Sequence, residues 1–283
     1  MDTVSTIREA KLWLKPYCRK KLKIGFVPTM GALHEGHLRL IRQSKADNDV
    51  TVCTIFVNPI QFNNPDDLAN YPRNLSQDAC LLRNNGCDML FCPTAQEMYP
   101  EGKTENLDIE FGLLDKVLEG KFRPGHFKGV VIVVKKLFDI ICPTNAYFGK
   151  KDYQQLLVIK RMKELLGLPV NIIESETVRE DDGLAMSSRN MRLTIGERQV
   201  ARRIFEVLCK VRERGTKTPV WELKEWAIKK IQEDPGFRVE YFEIADSETL
   251  MPVENWGQKT RAVALTAVYL GDVRLIDNVE LFS

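Results

Sequence analysis

Pro28-Thr29-Met30-Gly31-Ala32-Leu33-His34-Glu35-Gly36-His37 joins a compact apolar run, Ile24 to Pro28, to a segment from His37 to Lys45 with apolar residues at Leu38, Leu40 and Ile41. The run reads as a β-strand and the segment after it as a helix. Val50 to Val57 follows, apolar nearly throughout, as expected of a strand buried on both faces. Strand, helix and strand in that order form a βαβ unit, whose crossover is right-handed in a parallel sheet.

The alternation continues outward from this unit. Leu75 to Asn85 reads as a helix, Asp88 to Cys92 as a strand, and His126 to Ile141 as a strongly apolar helix. Ala146 to Phe148 is a strand, Tyr153 to Leu166 a helix and Val170 to Glu174 a strand. The pattern predicts a doubly wound, Rossmann-like α/β domain over residues 1–176. Beyond Thr177 the pattern changes. Thr194 and Glu197 make a capping-box start for a helix to about Arg214, and Thr218-Pro219 opens another that ends before Asp234-Pro235-Gly236. Strands are expected at Arg238 to Ala245, at Ala262 to Leu270 and, shorter, around Arg274 to Ile276. Residues 177–283 therefore read as a smaller α+β domain.

Composition narrows the function. The chain has 283 residues, 44% of them hydrophobic and 28% charged, which suits a globular protein able to bury its own core. With 41 basic and 39 acidic residues the formal charge is +2, so bulk nucleic-acid binding has no electrostatic footprint. No run of about 18 apolar residues suggests a membrane span, and the N-terminus carries an early acid and no apolar signal core. The seven cysteines include no Cys-x-x-Cys pair, so neither a disulfide framework nor a zinc site is expected. A reducing compartment, the cytoplasm, is the simplest expectation.

The chemistry concentrates between strands and helices. The carboxyl end of a strand facing a helix N-terminus is where α/β sheets bind ligands, and free amides there favour phosphate. Gly31 and Gly36 permit close backbone approach, and His34 and His37 lie on one helical turn, able to face one phosphate. A tight turn with two solvated histidines would fit the same spacing, but two of the chain's three histidines fall in this one turn. Asn58 and Gln61 follow the second strand, where an amide can both donate to and accept from a hydroxyl-bearing substrate; Asn58-Pro59 is also an ordinary turn. Arg123-Pro-Gly-His126-Phe-Lys-Gly129 supplies the third histidine at a helix entry. Phe148-Gly149-Lys150-Lys151-Asp152-Tyr-Gln-Gln155 places a glycine turn between strand and helix, where Asp152 and Gln155 could equally form a capping box. Thr177-Val178-Arg179 and the stretch from Gly183 to Arg189 complete the set; in Met186-Ser187-Ser188-Arg189 two hydroxyls precede a fixed positive charge, suited to clamping a polyphosphate or to a polar interdomain turn.

His34-Glu-Gly-His37 resembles the His-x-Gly-His signature of the nucleotidyltransferase superfamily, and the fuller string from Pro28 is similar to that of the pantothenate synthetase, or pantoate–beta-alanine ligase, family. Met186-Ser-Ser-Arg189 resembles the superfamily's Lys-Met-Ser-Lys-Ser loop. The resemblance runs from about Gly25 to Arg192 and implies an ATP-dependent ligase that joins (R)-pantoate to beta-alanine through a pantoyl adenylate, releasing AMP and pyrophosphate. It implies an ATP site of Met30, Gly31, Ala32, Leu33, His34, Glu35, Gly36, His37, Gly149, Lys150, Lys151, Asp152, Val178, Met186, Ser187, Ser188 and Arg189. Within it His34, His37 and Lys151 are catalytic, Asp152 meets the ribose, and Val178 meets adenine through its backbone. Gln61, Gln155, Asn58, Arg123 and His126 are implied to line the substrate site, with Asp78 the candidate ligand for magnesium carried with ATP. Lys150 departs from the family's usual Glu or Gln and adds a positive charge near the nucleotide. A homodimer formed through the N-terminal domain, with no nucleic-acid or membrane partner, is implied as well, as is a C-terminal lid. Three alternatives stay open: an adenylyltransferase that stops at nucleotide transfer, an RNA-charging enzyme, and a non-catalytic nucleotide-binding module.

Overall fold

The structure is a computed structural model and describes residues 1–102, 107, 109–257 and 261–282. Contacts group the chain into two compact units, Met1–Lys150 with Gln155–Glu176, and Lys151–Gln154 with Thr177–Ser283. The short segment Lys151–Gln154 thus belongs with the second unit although it lies in chain order inside the first.

The first unit is built on strands β1 (Asp2–Val4), β2 (Ile24–Thr29), β3 (Val50–Ile55), β4 (Met89–Phe91), β5 (Asn145–Gly149) and β6 (Asn171–Ser175). Its helices are α1 (Ile7–Arg19), α2 (Glu35–Asp47), α3 (Pro65–Ala69), α4 (Leu75–Asn84), α5 (Ala95–Met98), α6 (Glu119–Phe122), α7 (His126–Ile141) and α8 (Tyr153–Leu165). The sheet order is β1-β4-β3-β2-β5-β6, and every neighbouring pair is parallel. From β2 the chain adds β3 and β4 on one side, then returns to lay β5 on the other side of β2. That reversal opens a crevice at the carboxyl ends of β2 and β5, the position where doubly wound sheets bind ligands.

Alternation along the strands builds the two layers. Phe26, Val52, Phe91 and Ala146 pack with the buried face of α7 in one cluster, whereas Val27, Cys53, Leu90 and Tyr147 pack with Ile41 of α2 and Leu82 of α4 in another. The expected doubly wound α/β fold is therefore present. Neither β1 nor α1 was among the expected elements: the edge strand is only three residues long, whereas α1 has an apolar face and a Thr6–Glu9 capping box that the sequence reading passed over.

The second unit contains α9 (Ile195–Val200), α10 (Arg203–Arg214), α11 (Val220–Ile231) and the antiparallel sheet β7 (Phe237–Asp246), β8 (Ala262–Leu270), β9 (Val273–Phe282) in that order. Leu208, Leu223, Phe242, Val268 and Leu275 belong to its core. Two expectations are corrected here. The single helix from Thr194 to Arg214 is two: Thr194 and Glu197 do form the capping box, but Ala201 (φ −57°, ψ −28°) and Arg202 (φ −56°, ψ −24°) tighten toward 3₁₀ geometry and interrupt the α-helical bonding. The last strand is also far longer than Arg274 to Ile276, because polar Asp277, Asn278 and Glu280 masked an alternation that continues through Val279 and Leu281. No described helix is long and apolar enough to cross a membrane.

Candidate active site

The loop after β2 is held open by hydrogen bonds from two other elements. Thr29 Oγ1 donates to the Thr54 carbonyl at 2.7 Å and accepts from the Gly31 amide at 3.2 Å. Gly31 (φ 82°) and Ala32 (φ 50°) then adopt left-handed backbone, which is costly for alanine. Asp78, on the first turn of α4, stabilises that conformation. Its Oδ2 accepts from the Ala32 amide at 2.9 Å and its Oδ1 from the Leu33 amide at 2.8 Å. Gly31 has no alternative, since a Cβ there would stand 3.0 Å from both Asp78 Oδ2 and Ile55 Cγ2. Asp78 is only 2% exposed. It is an anchor for the loop, each of its oxygens accepting one backbone amide, and that is the role the structure gives the residue named as a magnesium candidate. Among the described residues no group of three or more His, Cys, Asp or Glu side chains could hold a metal ion.

The two histidines form the start of α2. His34 is the N-cap, its Nδ1 accepting from the Gly36 amide at 3.2 Å, and His37 Nδ1 accepts from the His34 amide at 3.3 Å. Together they make a capping box in imidazole, with ring centroids 4.1 Å apart. A ring nitrogen that accepts a hydrogen bond carries no proton, so in each neutral ring the proton sits on Nε2. The caps thus fix the tautomer and make Nε2–H the donor edge of both rings. Glu35 between them is exposed and ion-paired with Arg42, so its side chain has a structural partner on the helix surface.

Asn58 and Gln61 are drawn into one network. The Tyr99 hydroxyl donates to Asn58 Oδ1 at 2.9 Å, and Asn58 Nδ2 donates to Gln61 Oε1 and to the Gly129 carbonyl, each at 3.1 Å. Gln61 Nε2 donates to Met30 Sδ at 3.0 Å, which ties the turn after β3 to the loop after β2. Burial pushes the Tyr99 phenol up, so it remains a proton donor throughout the ordinary pH range. Asn58, 1% exposed, is thereby a support for Gln61. His126, also buried, bonds through Nδ1 to the Gln61 carbonyl at 2.8 Å, and Arg123 pairs with Glu119 at 3.4 Å. Gly129 lets α7 reach this turn: a Cβ there would fall 2.6 Å from the Ile60 carbonyl oxygen and 2.8 Å from Gln61 Cα. We expect Gly129→Ala to displace the Gln61 turn at a cost of about 1–3 kcal/mol and to raise about tenfold the KM for the ligand that Gln61 meets. Steady-state titration of each substrate checks this; unchanged KM values for all of them would mean that the turn positions none.

At the end of β5, Gly149 leads into Lys150, which pairs with Glu176 at 2.7 Å. Glu176 is thus one partner of the lysine that stands where the family usually has Glu or Gln. Gln155 lies half-buried near the start of α8.

The second unit holds the remaining residues. Lys151 is half-buried with its carbonyl accepting from Asn278 Nδ2 at 2.9 Å, and Asp152 is exposed. Val178 and Met186 face each other across a hairpin closed by Met186 N–H to the Val178 carbonyl at 3.0 Å and by pairing of Arg179 with Ala185. Ser187 caps the following 3₁₀ turn, its Oγ accepting from the Arg189 amide at 3.2 Å, and Ser188 is buried. Arg179 is turned into the second unit. Its guanidinium donates to both oxygens of Asp277, at 2.7 and 2.9 Å, and lies over the Phe205 ring at 3.7 Å. Tyr99, Gly129, Asp277 and Asn278 escaped the sequence reading as contributors. Asp277 did leave a signal there, as a charge inside the alternating series Val273, Leu275, Val279 and Leu281.

Comparison with known proteins agrees with this arrangement. The family model described as Pantoate-beta-alanine ligase matches residues 2–280. A pantothenate synthetase from Azobacteroides pseudotrichonymphae is 45% identical over 280 residues, covering 99% of each chain. One from Bacteroides thetaiotaomicron is 44% identical over 280 residues with the same coverage. Among solved structures, pantothenate synthetase from Thermus thermophilus superposes with a TM-score of 0.93 at 43% identity, covering 100% of each chain. Pantoate-beta-alanine ligase from Francisella tularensis, complexed with beta-gamma ATP and beta-alanine, gives 0.83 at 37% identity, covering 99% of this chain and 98% of that one. Agreement at this identity over the whole length goes beyond a shared fold: the chain belongs to the pantoate-beta-alanine ligase family.

Proposed function

We propose that the enzyme condenses (R)-pantoate with beta-alanine in two steps at the expense of ATP. In the first, a pantoate carboxylate oxygen attacks the α-phosphorus, the bond to the β-phosphate oxygen breaks, and pyrophosphate leaves. In the second, the neutral amine of beta-alanine attacks the acyl carbon, the bond to the AMP oxygen breaks, and the amine gives up a proton as the amide forms. The observation that best supports this is the Gln61 Nε2 to Met30 Sδ contact at 3.0 Å. It sets a carboxamide suited to a hydroxy acid beside the loop whose imidazoles suit phosphate. The relative from Francisella tularensis, complexed with an ATP analogue and beta-alanine, supports the same pair of ligands here.

Negative charge grows on the phosphoryl oxygens in the first step, so preorganised donors contribute most. In this reading His34 and His37 offer Nε2–H, while Lys151, Ser187, Ser188 and Arg189 supply charge and hydroxyls to the polyphosphate. Gly31, Ala32, Leu33 and Gly36 shape the loop that carries the histidines, their own amides being held by Thr29, Asp78 and His34; Asp152 and Val178 meet the nucleoside, and Gln61 with Gln155 meets pantoate. Magnesium travels on the nucleotide's own phosphates, with no protein carboxylate assigned to it. The family resemblance also supports a cytoplasmic homodimer, which light scattering of the purified chain tests.

The decisive assay is AMP release from ATP. It should require pantoate and beta-alanine together, whereas pantoate alone should support exchange of labelled pyrophosphate into ATP. AMP release independent of either acid, or ADP as the product, would refute the scheme.

A further inference from the structure

Strand β9 carries an aspartate where its pattern calls for an apolar residue. Val273, Leu275, Val279 and Leu281 alternate into the core of the second unit, and Asp277 occupies the same face at 4% exposure. Burial pushes its carboxyl up, and the Arg179 guanidinium pulls it back toward the ionised form. The pair is bidentate, at 2.7 and 2.9 Å. Arg179 also donates to the Gly183 carbonyl at 3.1 Å and to the Asn278 carbonyl at 3.3 Å. One guanidinium thus fastens both arms of the Val178–Met186 hairpin to β9. The neighbouring residue points to the other face of the strand, where Asn278 Nδ2 donates to the Lys151 carbonyl at 2.9 Å. Two adjacent residues of β9 therefore hold, on opposite faces, the two segments of this unit that have been given nucleotide contacts.

Buried ion pairs of this kind add little net stability over well-packed apolar residues, so stability alone is a weak reason for an aspartate here. Violations of local patterning are expected where a site needs them. We propose that Asp277 and Asn278 are positioning residues for ATP: Asp277, through Arg179, fixes the hairpin bearing Val178 and Met186 to Arg189, and Asn278 fixes the main chain at Lys151. This rests on the nucleotide role given to those segments under the proposed function. It assigns part of the site's geometry to the C-terminal strand, acting through Arg179 and the main chain at Lys151.

The test uses the full-length enzyme and pantoate-dependent exchange of pyrophosphate into ATP, with ATP and pantoate titrated separately. Asp277→Asn keeps the shape but loses the charge that seats Arg179. It should lower kcat/KM for ATP about 10²-fold while leaving the pantoate KM within about twofold. Asn278→Ala removes one hydrogen bond and should raise the KM for ATP about tenfold, again sparing pantoate. A purely structural role predicts something else: lowered thermal stability with unchanged KM values, or equal losses for both substrates. Either result would overturn the proposal. If Asp277→Asn does not fold, Asn278→Ala decides alone. Failure of the unmodified enzyme to catalyse the exchange would refute the underlying adenylate scheme instead, and the two failures are read from different samples.

Discussion

Replacing His37 with alanine should lower the rate of pyrophosphate release in a single turnover by about 10²–10³, the usual effect of removing one preorganised donor to a developing oxyanion. Two roles of this residue must be separated, because His37 also caps its own helix through Nδ1. Loss of a cap costs about 0.5–2 kcal/mol of stability and does not in itself slow chemistry. The capping box supplies the control. Glutamine at this helix position is an ordinary capping partner, so His37→Gln should recover most of the stability lost by His37→Ala while restoring none of the rate. The cap leaves Nε2–H as the ring's donor, and glutamine, with its oxygen turned to the His34 amide, cannot reproduce that edge. Near-normal pyrophosphate release by either variant would remove His37 from the chemistry and leave it a helix cap.

Asp78→Asn separates a loop anchor from a metal ligand. The native carboxylate accepts two backbone amides, from Ala32 and Leu33, and an asparagine offers one oxygen and turns an NH₂ toward the other donor. A buried amide left without an acceptor costs about 1–3 kcal/mol, and the left-handed Ala32 depends on that restraint. We expect a fall in melting temperature together with a loss of about 10² in adenylate formation, since displacements near 1 Å at a reacting centre have effects of that order. Raising magnesium should recover none of it. Recovery of activity at high magnesium, with stability unchanged, would restore Asp78 as a metal ligand and reject the anchor.

The sequence carried the fold class because its signal is local. Continuous apolar strands, helices of regular spacing and glycine turns between them are written within a dozen residues, and they are enough to predict a doubly wound sheet. The same holds for the loop from Met30 to His37, whose residues act where they stand, and for Gln61, which follows its strand directly. Element ends were less legible. The extension of β9 was hidden by Asp277 and Asn278, since a strand that interrupts its apolar face for a buried ion pair no longer looks like one.

What the sequence by itself determined was the architecture, the family resemblance and the loops that follow the central strands. What only the tertiary structure decided was the partner of each charge. Asp78 could have met a metal but meets two amides of a loop 45 and 46 residues away in the chain. Lys150 pairs with Glu176, 26 residues further along the chain, and Arg179 is held by Asp277 from 98 residues away. A charged side chain takes whichever opposite charge or dipole packing brings within about 3 Å, and that distance is set by the long-range assembly of elements, which no local pattern records.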